Sequence, residues 1–73
     1  MTRRFEFSLK LSAGEVQRIY QGQARYFLVY TDEGTSLQLP ASNFRRYVTG
    51  QGIQGRFEVE IDQRNKIIQL ELI

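Results

Sequence analysis

The sequence predicts an α+β domain: a five-stranded, mostly antiparallel sheet, with one short helix after the first strand and a helical turn between the third and fourth. Three observations carry this prediction. Residues 4 to 11, "RFEFSLKL", alternate strictly between apolar and polar side chains, the period of a half-buried strand. Two further pairs of strand-like segments, within residues 24 to 39 and 53 to 72, are each joined by a short polar turn, as in antiparallel hairpins. The segments between, about residues 12 to 23 and 41 to 52, have helical character. Each is close to the dozen-residue minimum for a parallel crossover, so a mixed sheet is also permitted. The alternative is a small closed barrel of the OB or SH3 kind, which also places a helical turn before its later strands.

In the first strand Phe5, Phe7, Leu9 and Leu11 share one face and Arg4, Glu6, Ser8 and Lys10 the other. Ser12 followed by Glu15 is the signature of a capping box, and Val16, Ile19 and Tyr20 then fall on one helical face. Gly22 is expected to stop this helix by adopting the left-handed conformation. In "ARYFLVYT", residues 24 to 31, the unbroken apolar run from Tyr26 to Tyr30 predicts a central strand covered on both faces. Asp32, Glu33 and Gly34 read as a hairpin loop with a bulge, leading to a third strand that carries Leu37 and Leu39 and closes at Pro40. "ASNFRRYV" is a short helical segment anchored by Phe44, Tyr47 and Val48. Ile53, Gly55, Phe57, Val59 and Ile61 define a fourth strand by alternation. After the polar turn "DQRN", a fifth strand has Ile68, Leu70 and Leu72 on one face.

At 73 residues the chain is expected to form one small domain, 1–73, burying about 60% of its unfolded surface. Cysteine and histidine are absent, which removes disulfides, a thiolate nucleophile, Cys/His zinc sites and imidazole acid–base chemistry. An enzyme is therefore not expected, and no catalytic, cofactor-binding or metal-ligating residue is assigned. "MTRRFEFSLK" alternates instead of forming an apolar leader, and no stretch has the roughly 20 apolar residues of a membrane span. The expected location is cytoplasmic. The net charge is +2 with a pI of about 9.3. Basic residues dominate through Phe57 and acidic ones after it, as they would on two faces of opposite sign.

Three motifs invite a functional reading. Gly50, Gly52 and Gly55 have the G-x-G-x-x-G spacing of a phosphate-cradling loop. That fingerprint requires a strand before it and a helix after it, whereas here a helical turn precedes and a strand follows. The glycines are better read as a turn, with Gly50 and Gly52 at positive φ and Gly55 at a bulge or close approach. Glu58, Glu60 and Asp62 recur at every second position and so line one strand face. About 6.5 to 7 Å apart with no wrapping loop, they read as a solvated face paired with basic residues, not as a metal site.

"FRRY" at 44 to 47 and "ARYF" at 24 to 27 combine guanidinium groups, which bind phosphate bidentately and stack on bases, with aromatic rings. If the first strand lies near the second helical turn, Arg3, Arg4, Arg45 and Arg46 form one basic patch. The competing structural reading has Phe44 and Tyr47 anchoring the turn, the arginines keeping it soluble, and Tyr26 and Tyr30 packed in the sheet.

In order and spacing, "YQG", "LPASNFRRYVT", "GIQGRFEVEID" and "NKIIQLEL" resemble a family of short bacterial proteins, about 70 residues long, catalogued as a domain of unknown function. The resemblance spans nearly the whole chain, with "GIQGRFE" preceded by "LPA" and "VT" its most specific part. It implies a bacterial cytoplasmic protein and brings no catalytic or binding residue with it.

Two functions are expected from these observations. The first is a non-enzymatic module that binds nucleic acid through Arg3, Arg4, Arg25, Arg45 and Arg46, with Tyr26 or Tyr47 stacking on bases. The second is a protein–protein adaptor or homodimer that uses a sheet edge or apolar patch, suggested by the apolar strand "LELI". Neither requires a cofactor, a metal or a membrane.

Overall fold

The computed structural model describes residues 1–22 and 25–73. In chain order it contains β1 (Arg3–Leu11), α1 (Ala13–Gln21), β2 (Tyr26–Tyr30), β3 (Ser36–Pro40), a 3-10 helix (Ala41–Tyr47), β4 (Ile53–Ile61) and β5 (Ile67–Leu72). The expected order of elements is therefore present, and Ala24, the first residue of the expected second strand, lies outside the described residues.

The sheet arrangement differs from expectation. The five strands form two antiparallel sheets, one of three strands in the order β1-β4-β5 and one of β2 and β3. No pair among them is parallel, and they do not close into a barrel. Among the described residues the sheets meet at a single bridge, Phe7 to Thr31, next to which the Asp32 N–H donates to the Glu6 carbonyl at 2.8 Å. One flat five-stranded sheet would leave a broad apolar face for two short helical segments to cover. Splitting the sheet lets its two parts cover each other.

The shared core follows from the registers. Phe5, Phe7, Leu9 and Leu11 of β1 lie opposite Val59, Phe57, Gly55 and Ile53 of β4. Phe27 and Val29 of β2 lie opposite Leu39 and Leu37 of β3. Phe44 from the 3-10 helix is fully buried among them, with ring centroids 4.9 Å from Phe27, 5.6 Å from Phe57 and 6.4 Å from Phe7. These tilted and edge-on packings join the two sheets through one side chain. Tyr47 packs edge-on against Phe57 at 5.2 Å. Seven residues of 3-10 helix do not persist alone, so these two anchors hold the segment in place.

The capping box forms as expected: the Glu15 N–H donates to Ser12 Oγ at 3.2 Å and the Ser12 N–H to Glu15 Oε1 at 3.1 Å. Those contacts, the Ser12 backbone donor first, hold the Glu15 carboxyl below its ordinary pKa. Val16 is buried, with Ile19 and Tyr20 packed against the core. Gly22 is not left-handed (φ −92°, ψ −160°), and its N–H continues the helical pattern to the Arg18 carbonyl. Glycine serves there through size, because a Cβ would lie 2.6 Å from that carbonyl oxygen.

Both hairpins use the same loop. Thr31 accepts from the Gly34 N–H and donates to Thr35, with Gly34 at φ +86°. Asp62 accepts from the Asn65 N–H and donates to Lys66, with Asn65 at φ 63°. Each is a three-residue connection ending in a left-handed residue. The fifth strand departs from simple alternation at a register shift between Glu60 and Ile61. Gln69 pairs with Glu60 and Ile67 with Ile61, leaving Ile68 as the extra residue. Ile68 therefore does not share the face of Leu70 and Leu72.

The β2 expectation is corrected as well. Phe27 and Val29 are buried, but Tyr26, Leu28 and Tyr30 are 57%, 54% and 66% exposed. The unbroken apolar run hides an ordinary alternation, because the outer face of a two-stranded sheet has nothing packed on it.

Candidate nucleic-acid interface

The expected site residues fall into three neighbourhoods. Arg3 and Arg4 are consecutive on β1 and so point to opposite faces. Arg3 lies over the Phe5 ring at 5.5 Å and donates to Asn65 Oδ1 at 3.4 Å, while Arg4 is 3.8 Å from Glu60. Arg46 lies 5.7 Å from the Tyr47 ring and lines a shallow depression with Ile67, Gln69 and Glu71. Tyr47 itself is half-buried, and its hydroxyl donates to the Leu70 carbonyl at 2.9 Å. That hydrogen bond and its edge-on packing against Phe57 anchor the 3-10 helix.

Arg25, Tyr26 and Arg45 are brought together. They line an open cavity of about 400 Å³ with Ile19, Tyr20, Pro40 and Ser42, between the end of α1, the start of β2 and the 3-10 helix. Tyr20, which sequence reasoning assigned to the helix core face, is part of the site. Its hydroxyl donates to the Ala41 carbonyl at 2.6 Å, and the Arg45 guanidinium lies over its ring at 4.8 Å, within cation–π range. Burial pushes the Tyr20 phenol above its ordinary pKa, opposed by the Arg45 charge. The phenol therefore stays a neutral donor and its ring a fixed support for the arginine.

Charge distinguishes this cavity. Among the described residues its lining contains no carboxylate, and the ion pairs involve Arg4 and Arg56 only. The acidic residues gather elsewhere. Glu6, Glu58 and Glu71 lie side by side across β1, β4 and β5 on the outer face of that sheet. Beside them Arg56 bridges Glu6 and Asp32, the Asp32 hydrogen bond doing most to raise its pKa.

Glu58 therefore has acidic neighbours on both adjoining strands, not the basic ones expected. Asp62 follows the end of β4 instead of extending its face, and its Oδ1 accepts from the Arg64 N–H at 2.8 Å and the Lys66 N–H at 3.0 Å. No group of three acidic side chains among the described residues has the arrangement of a metal site.

The glycine-rich turn is built against phosphate binding. The Gly52 and Gln51 N–H groups donate to the Thr49 carbonyl and hydroxyl, at 3.0 and 3.2 Å. A phosphate cradle needs such groups free and pointing outward. Gly52 has φ +106°, as expected, whereas Gly50 is not at positive φ. Gly55 marks a close approach, with a Cβ there 2.6 Å from Leu72 Cδ1.

Tyr26 and Pro40 are cross-strand partners and both line the cavity, so it opens onto the outer face of β2 and β3, where Leu28 and Tyr30 continue the exposed row. Sequence reasoning missed the exposure of Leu28 and Tyr30. The available signal was chemical: within "YFLVY" the phenols occupy one parity and the purely apolar Phe27 and Val29 the other, and a tyrosine hydroxyl favours the wet face.

No helix of the described residues is long and apolar enough to cross a membrane. Searches of curated proteins and of solved structures each found no match. A family model matches residues 3–73, which span every element described above, and the chain belongs to that family, described as "Protein of unknown function (DUF2835)".

Proposed function

We propose that this protein is a non-enzymatic nucleic-acid-binding module whose contact surface is centred on Arg25, Arg45 and Tyr26. The observation that carries the reading is the convergence of two guanidinium groups and an exposed phenol ring on one open cavity whose described lining has no carboxylate. Arginine supplies the bidentate geometry that phosphate oxygens accept. Tyr26 supplies a stacking surface, and the Tyr20 ring supports Arg45 in position. Arg3, Arg4 and Arg46 lie outside the cavity lining, so the proposed surface uses two of the five arginines expected from sequence to contact phosphate.

The test is fluorescence anisotropy of a labelled mixed-sequence oligonucleotide at low salt. Arg25→Ala combined with Arg45→Ala should abolish most of the binding, while Arg3→Ala and Arg4→Ala should leave it nearly unchanged. Absence of binding by the wild type, or equal binding by the double variant, refutes the proposal.

The adaptor or homodimer reading draws on β5 and the residue after it, where Ile68, Leu72 and Ile73 are more than half exposed. Because the Ile73 N–H donates to Arg56 of β4, strand alternation turns the Leu70 carbonyl toward the outer edge. The Tyr47 hydroxyl already occupies that acceptor, which weighs against a second strand adding there.

A further inference from the structure

The exposed outer face of β2 sharpens the proposed function. Tyr26, Leu28 and Tyr30 form a straight row on that face, with same-side residues about 6.8 Å apart and the two tyrosines therefore about 14 Å apart. The row starts at the arginine-lined cavity and ends beside the turn of Asp32 and Glu33, where these two carboxylates and the neighbouring Glu6 outnumber Arg56, the cation that bridges Glu6 and Asp32. It thus has a cationic end that attracts phosphate and an anionic end that repels it. An exposed apolar row on a small domain calls for an occupant, and this gradient of charge fits an anion that also carries flat rings.

We infer that the ligand is an unpaired nucleic-acid strand of short footprint. One nucleotide has its phosphate on Arg25 and Arg45 at the cavity, and the following bases lie along Tyr26, Leu28 and Tyr30. This inference rests on the proposed function and narrows it. A duplex keeps its base faces stacked inside and offers tyrosine rings nothing to stack on, whereas a single strand presents them. Tyr26 and Tyr30 are too far apart to contact the same base, so each serves a different one. Asp32 and Glu33 stop the track beyond Tyr30, which sets the footprint near the lower limit for small single-strand binders, about 4 nucleotides.

The experiment measures anisotropy with labelled single strands of increasing length, and with a duplex of the longest sequence, against wild type, Tyr30→Ala and Tyr30→Phe. Each variant is first checked for folding by its thermal transition. Single strands should bind at least about tenfold more tightly than the duplex, and Tyr30→Ala should lose about tenfold, while Tyr30→Phe, which keeps the ring, should retain affinity. Affinity should stop rising steeply beyond about 4 nucleotides.

Equal binding of duplex and single strand, with Tyr30→Ala unaffected and the Arg25/Arg45 double variant impaired, overturns this inference and leaves the proposed function standing. A steep gain continuing well past that length overturns the short footprint. Sedimentation showing a wild-type dimer that Tyr30→Ala dissociates, with no change in oligonucleotide affinity, also overturns it and assigns the row to a second copy of the chain. Failure of every oligonucleotide to bind refutes both readings.

Discussion

Replacing Gly52 with alanine tests whether "GQGIQG" is a structural turn or a ligand loop. Gly52 is buried, at φ +106°. A Cβ there would lie 2.0 Å from the Leu11 carbonyl oxygen, 2.7 Å from Ser12 C and 2.9 Å from Ala13 N. All three are backbone atoms at the junction of β1 and α1, where the capping box fixes the chain, so none can rotate away. The unfavourable φ costs about 1–3 kcal/mol and forcing the backbone apart about 1–3 more, giving about 4 kcal/mol together. For a domain of this size that corresponds to a fall in Tm of roughly 15–30 °C.

The neighbouring glycines provide internal controls. At Gly50 a Cβ meets nothing within 4 Å and φ is not positive, so Gly50→Ala should be neutral or stabilising by up to about 1 kcal/mol. Gly55→Ala should fall between, at about 1–3 kcal/mol, because the atom it meets belongs to the half-exposed Leu72 side chain, which can swing aside. Urea titrations followed by circular dichroism, with equal m-values, give the three midpoints. A Gly52→Ala midpoint equal to wild type, or Gly50→Ala as the least stable variant, refutes the structural account of this turn.

Three further outcomes are expected. Tyr47→Phe should cost about 0.5–1.5 kcal/mol by removing the hydrogen bond to the Leu70 carbonyl and leave oligonucleotide affinity unchanged; a loss of affinity in a fully folded variant would show that Tyr47 contacts the ligand. If two arginines meet phosphates, the slope of log K against log salt for a single strand should be about −1.4, a drop of about sevenfold from 50 to 200 mM, and Arg45→Ala should halve the slope; an unaltered slope would remove Arg45 from the interface. Asp62 titrates below its ordinary value of 3.8, chiefly through the Lys66 backbone N–H and then that of Arg64. A carboxyl with a depressed folded pKa adds stability above its unfolded pKa that is lost as pH falls through the folded one. Asp62→Ala should therefore flatten the acid limb of a stability–pH curve below about pH 4, and an unchanged limb would show the turn contacts to be unimportant.

Local order was legible in the sequence wherever one neighbour decides it. The alternation of β1 and β4, the Ser12–Glu15 box, and the loops at Gly34 and Asn65 each depend on residues a few positions apart, and the structure contains all of them. The anchors Phe44 and Tyr47 were also legible, because a short helical segment needs apolar side chains to hold it. What the sequence left open was every choice made between distant residues. "YFLVY" reads as doubly covered until β2 is seen paired with β3 in a two-stranded sheet. Ile68 reads as in phase until β4 and β5 are paired. Arg3, Arg4, Arg45 and Arg46 read as one patch only if β1 lies near the 3-10 helix, a placement that residues close in sequence do not decide.

The candidate site divides in the same way. The residue types that suit phosphate and bases were visible as "ARYF" and "FRRY", but which of them converge was not. Arg25 and Arg45 are 20 positions apart, and they meet because Phe44 packs between the two sheets and brings the 3-10 helix against the ends of α1 and β2. The sequence by itself determined the elements, their order and the available chemistry, because backbone preference and side-chain period are short-range. Only the tertiary structure decided that the sheet splits, that the outer face of β2 stays bare, and that two arginines and a tyrosine share one cavity, because burying Phe44 constrains distant segments together.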